Sequence, residues 1–119
     1  MKKILIVEDN EQNMYLISFL LKKKGYEVIE AKTGEEGVEL AVKEKPGLIL
    51  MDIQLPGIDG LEATKKIRSS EADEKIPIVA LTSYAMPGDK EKALKAGCTG
   101  YIEKPINPKT FLSDIEKYL

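Results

Sequence analysis

Apolar positions along the chain follow two alternating rhythms. Residues 4–7, 48–51 and 78–81 are uninterrupted apolar runs, which fit strands covered on both faces. Val28 with Ile29, and Tyr101 with Ile102, mark two weaker strands. Between the runs, apolar residues recur at helical spacing. Met14, Ile17, Leu20 and Leu21 do so within residues 11–24, with Gly25 as the stop. Val38, Ala41 and Val42 follow Thr33, which forms a capping-box pattern with Glu36. Leu61, Ala63, Thr64 and Ile67 lie within residues 60–69, and Ala93 and Leu94 are the main apolar anchors of residues 89–96, before Gly97. Phe111, Leu112, Ile115 and Leu119 belong to a last helix, entered through an Asn107 cap and a first-turn Pro108.

Five strands and five helices in strict alternation predict an α/β fold: a doubly wound, five-stranded parallel sheet with helices on both faces. Right-handed crossovers leave few topologies, and the flavodoxin-like order 2-1-3-4-5 is the expectation. The 119 residues carry no linker or repeat, so one domain is expected over the whole chain.

The stretch "LILMDIQLP" ends an apolar strand on an acid, Asp52, and then turns. Other polar residues fall at equivalent places: Glu8 and Asp9 after the first strand, Thr82 and Ser83 after the fourth, Glu103 and Lys104 after the fifth. In a parallel sheet the carboxyl ends share one edge, and ligands bind where the strand order reverses, between strands one and three. Asp9 or Asn10 could simply cap the next helix. Capping does not explain three acids, a hydroxyl and a lysine converging on one edge. Close carboxylates repel, so one takes a raised pKa unless a cation intervenes. Mg²⁺ suits such a site, since it binds through one or two carboxylates plus a phosphoryl group. Asp52 can then act as a nucleophile that forms an aspartyl phosphate. Lys104 and the metal stabilise the transferring oxygens, and Thr82 donates to one of them.

Composition narrows the alternatives. The chain has no histidine, which excludes a histidine base, a histidine metal ligand or a phosphohistidine within it. Cys98 is alone, so no internal disulfide is possible and a reducing cytoplasm is the expected location. No run is long enough to span a membrane. Net charge is −2, and Arg68 is the one arginine among 18 basic residues, which argues against nucleic-acid binding. Cys98, Met14 and Met51 read as core, Met86 as a residue near the switch loop, and residues 22–24 as a solvated helix end.

Glu8-Asp9, Asp52 followed by Pro56-Gly57, Thr82 and Lys104-Pro105 together resemble the receiver domain of two-component response regulators. "MDIQLPGIDG" and "GYIEKPI" resemble the same family, closest to single-domain regulators of the cell-division type and to receivers of hybrid histidine kinases. The resemblance implies that Asp52 is the phosphoacceptor. It implies Mg²⁺ bound by Asp9, Asp52 and the main-chain carbonyl of Gln54, with Glu8 assisting indirectly. Lys104 would contact the phosphoryl group, Thr82 and Tyr101 would form the switch pair, and Gln54 and Tyr84 would tune hydrolysis. A cis Lys104–Pro105 bond is implied as well. Ser83 stands where alanine is usual. The implied donor is a phosphohistidine on a sensor histidine kinase or a histidine phosphotransfer protein. The implied output is a partner protein bound through the face of the fourth helix, fifth strand and fifth helix. With nothing beyond Leu119, no DNA-binding output domain is expected, and the chain would act without being a stand-alone enzyme.

Other classes fit the residues less well. An aspartate-nucleophile phosphatase wants a second acid two residues after the nucleophile, where Gln54 stands. A flavodoxin wants a hydroxyl-rich phosphate loop, where "EDNEQN" is acidic. A P-loop is absent. A degenerate receiver would lack one of the acids or the lysine.

Overall fold

The computed structural model describes residues 2–70, 75–82 and 88–119. Ser83, Tyr84 and Met86 lie outside the described residues. The elements run β1 (Lys3–Val7), α1 (Glu11–Lys24), β2 (Glu27–Ala31), α2 (Gly34–Glu44), β3 (Leu48–Asp52), α3 (Gly60–Arg68), β4 (Ile78–Thr82), α4 (Asp89–Ala96), β5 (Gly100–Glu103) and α5 (Phe111–Glu116). The strands form one parallel sheet in the order β2-β1-β3-β4-β5.

The uninterrupted apolar runs are central strands because two layers of helix cover them. Every residue of β3 and β4 is buried. On one face Leu5, Val7, Ile49, Met51 and Ala80 pack with Ala41, Ala63, Ile67 and Ala93 from α2, α3 and α4. On the other, Ile4, Ile6, Leu50 and Leu81 pack with Met14, Ile17 and Leu21 of α1 and Phe111 and Ile115 of α5. The edge strands are only partly covered, which is why their apolar signal is weaker. Cys98 is a buried free thiol on the first face, a small core residue as expected.

Helix ends follow their sequence signals. The Asn10 side chain caps α1 by accepting from the Asn13 N–H at 2.9 Å, and Gly25 ends it in the left-handed region at φ 102°. Thr33 caps α2 by accepting from the Glu36 N–H.

The Asn107 cap is made as expected: its side chain accepts from the Lys109 N–H at 2.9 Å and its carbonyl from the N–H groups of Thr110 and Phe111, with Pro108 in the turn that leads into α5 at Phe111. One expectation needs correction. Leu94 is not an anchor of α4, being 44% exposed. Ala93 and Ala96, three residues apart and so on one helical face, hold α4 to the core instead.

Candidate functional site

The strands run further than their apolar runs. Asp52 is the last residue of β3 and Thr82 the last of β4. Both are therefore held in the sheet ladder, with the Ile53 N–H donating to the Leu81 carbonyl at 3.1 Å. Behind Asp52 the chain turns back, and the Gly60 N–H donates to the Ile53 carbonyl at 2.9 Å. A side chain at Gly60 would collide with the Asp52 carbonyl oxygen and the Ile53 backbone, so α3 can start this close only with glycine. From the sequence alone Gly60 reads only as a helix start.

Glu8, Asp9 and Asp52 come together at this edge, with one carboxylate oxygen from each within 4.8 Å of the others. Asp52 and Glu8 are buried, at 3% and 1% exposure, and Asp9 is exposed. Lys104 reaches in from the end of β5, its Nζ 2.6 Å from Glu8 Oε1 and 3.2 Å from Asp52 Oδ2. The Lys104 backbone is fixed by its N–H, which donates to the Thr82 carbonyl, and the following bond to Pro105 is cis. The Gln54 N–H donates to Asp52 Oδ1 at 3.0 Å, and the Asn10 N–H donates to Glu8 Oε2 at 3.1 Å.

Burial pushes the Asp52 carboxyl up to about 7, with the Glu8 carboxylate adding to the rise. Lys104 and the Gln54 N–H oppose it without cancelling it. Carboxylate repulsion, the cause expected from sequence, is thus second to burial. For Lys104, burial disfavours the ammonium, but Glu8 and Asp52 outweigh it and raise its pKa. Among the described residues Glu8 Oε1 has no aligned hydrogen bond and meets charge alone, the Lys104 ammonium. Three carboxylates against one ammonium leave negative charge uncompensated at a half-buried edge. An all-oxygen donor set with that excess fits a hard divalent cation such as Mg²⁺.

Tyr101 is half-buried on β5 in register with Ala80, which places it on the same sheet face as Thr82, two residues further along β4. The Lys90 ammonium lies 5.2 Å from its ring centre. Thr82 is buried. Tyr84 lies outside the described residues.

Sequence reasoning missed an aromatic pair on α1. Tyr15 and Phe19 are 73% and 51% exposed, and their rings stack at 6.4 Å with Lys23 over Phe19. Tyr15 also lines a cleft of about 200 Å³ with Glu8, Asp9 and Glu11, so the aromatic patch meets the acidic edge. Their helical spacing, one turn apart and off the core stripe, was the available signal.

A family model for the response regulator receiver domain matches residues 4–116. The chain belongs to the response regulator receiver family. This receiver domain is 47% identical over 118 residues to the polar-differentiation response regulator DivK of Brucella ovis, covering 99% of this chain and 96% of that protein. The chemotaxis response regulator CheY4 of Vibrio cholerae has the same fold, with a TM-score of 0.94 at 33% identity over 100% of this chain and 99% of that one. The receiver domain of a sensor histidine kinase from Pseudomonas aeruginosa aligns with a TM-score of 0.90 at 37% identity, covering 98% and 96% of the two chains. That structure has a magnesium ion coordinated in its active-site cleft. The receiver domain described here therefore belongs to a two-component system, and its acidic cluster is of the kind that can bind Mg²⁺. Among the described residues no helix is long and apolar enough to cross a membrane.

Proposed function

We propose that Asp52 is the phosphoacceptor of this receiver domain and that its modification controls a partner protein. The observation that carries the reading is the buried Asp52 carboxylate at the end of β3, with the Lys104 ammonium 3.2 Å away at the same edge. An Asp52 oxygen attacks phosphorus, the phosphorus–nitrogen bond of a phosphohistidine breaks, and the bonding pair leaves with the imidazole. The chain has no histidine, so the donor is a histidine kinase, a phosphotransfer protein or a small phosphodonor. Mg²⁺, held by Asp9, Asp52 and the Gln54 carbonyl with Glu8 acting indirectly, would supply positive charge to the phosphoryl oxygens. Lys104 supplies a fixed positive charge from β5, and the Gln54 N–H orients the Asp52 carboxylate. The domain promotes its own phosphorylation and dephosphorylation without being a stand-alone enzyme.

The Tyr15–Phe19 patch is the docking place for the donor protein, because it adjoins the acidic edge and exposes aromatic surface. On phosphorylation Thr82 turns to a phosphoryl oxygen, Tyr101 rotates inward, and the face of α4, β5 and α5 reads out the change. Gln54 and Tyr84 tune hydrolysis. Peptide mapping after treatment with acetyl phosphate and Mg²⁺ tests the assignment. The label is expected on the peptide holding Asp52, and a label on another carboxylate contradicts it.

A further inference from the structure

The chain uses lysine at seventeen of its 18 basic positions and arginine once, at Arg68. Arg68 ends α3 and reaches across to the far end of α4. Its Nε donates to the Gly97 carbonyl at 2.9 Å, and its Nη2 donates to the Thr99 hydroxyl at 3.4 Å. That is a planar fork spanning two acceptors, which a lysine cannot reproduce. The Thr99 hydroxyl also accepts from the Ile78 N–H at 3.1 Å, and the Thr99 N–H donates to the Ile78 carbonyl at 2.7 Å. Gly97 sits at φ 116°, and a side chain there would press on Arg68 Cγ at 2.7 Å. Thr64 of α3 contacts Cys98 at 3.7 Å. The C-terminal end of α4 is thus tied to α3 and to the start of β4.

The other end differs. The N-cap of α4 is Gly88, which has no side chain to cap with. Among the described residues its first turn touches β5 through Lys90 over the Tyr101 ring. The end without a side-chain cap is the end in contact with Tyr101.

We propose that Arg68 makes Gly97 the pivot of α4, so that the helix swings from its N-terminal turn rather than shifting as a body. The proposal rests on the switch reading given above only for what triggers the swing. The anchoring itself is a property of the resting protein.

Amide hydrogen exchange followed by NMR on the full chain, in the parent, Arg68→Ala and Arg68→Lys, tests it. Without any ligand, Arg68→Ala is expected to speed exchange at the Gly97, Cys98 and Thr99 amides by about three- to tenfold, while the Lys92 amide near the N-terminal end of α4 changes by less than twofold. Arg68→Lys is expected to resemble Arg68→Ala. Equal acceleration at both ends, or none at residues 97–99, overturns the pivot. With Mg²⁺ and beryllofluoride, the parent is expected to show exchange changes that decline from residue 90 to residue 99. In Arg68→Ala that gradient is expected to flatten. A uniform change along α4 in the parent overturns the proposal. A protein that binds no beryllofluoride contradicts the phosphoacceptor reading, and the ligand-free comparison then still decides the pivot.

Discussion

The Lys104 ammonium lies closer to Glu8, at 2.6 Å, than to Asp52, at 3.2 Å. The residue assigned an indirect part from sequence therefore holds the lysine in the resting protein. Glu8 is buried, and it also raises the pKa of Asp52. Glu8→Gln removes that charge and leaves Lys104 to Asp52 alone. The Asp52 titration midpoint, followed by carboxyl ¹³C NMR without Mg²⁺, is expected to fall from about 7 toward the ordinary 3.8. It falls part of the way only, because burial is the larger cause. An unchanged midpoint would show that Glu8 does not act on Asp52.

The raised Asp52 pKa makes stability depend on pH. Between 3.8 and about 7 the folded protein keeps a proton on Asp52 that the unfolded chain releases. The resulting penalty is absent below pH 3.8 and complete above about 7, so this group's contribution falls as pH rises. Asp52→Asn removes the penalty. In urea denaturation with EDTA, the variant is expected to gain about 1–3 kcal/mol over the parent at pH 8 and almost nothing at pH 4. Saturating Mg²⁺ narrows the gap, because it stabilises the parent's ionised site. A variant less stable than the parent at pH 8 would mean that the Lys104 pair outweighs burial.

Docking and chemistry separate at α1. Phe19 lies on the exposed patch and outside the acidic cluster. Phe19→Ala is expected to slow phosphotransfer from a histidine kinase by about tenfold, which corresponds to about 1.4 kcal/mol. Labelling by acetyl phosphate is expected to stay at the parent rate. Equal slowing with both donors would place the defect in the site rather than in docking.

The sheet, its order and the edge that carries the site were legible because β1, β3 and β4 are covered on both faces along residues 4–7, 48–51 and 78–81 and are apolar there. The acids and the lysine were legible from their places at strand ends. What pairs with what was not. Glu8 and Lys104 are far apart in the chain, and only the sheet order brings them to 2.6 Å. Leu94 misled because α4 is short and its buried stripe is built from Ala93 and Ala96, which carry little apolar signal. In the sequence Gly60 and Gly97 mark helix boundaries. Their tighter role appears only with the Asp52 backbone and Arg68 packed against them.

The central claim is that Asp52 takes up phosphate with the help of the acidic cluster. Intact-mass spectrometry after acetyl phosphate treatment tests it most directly, with and without Mg²⁺, on the parent, Asp52→Asn and Asp9→Ala. The account predicts one added phosphoryl group on the parent in Mg²⁺, none in EDTA, none on Asp52→Asn, and labelling slowed at least tenfold on Asp9→Ala. An Asp52→Asn protein that gains the same mass at the parent rate would contradict it.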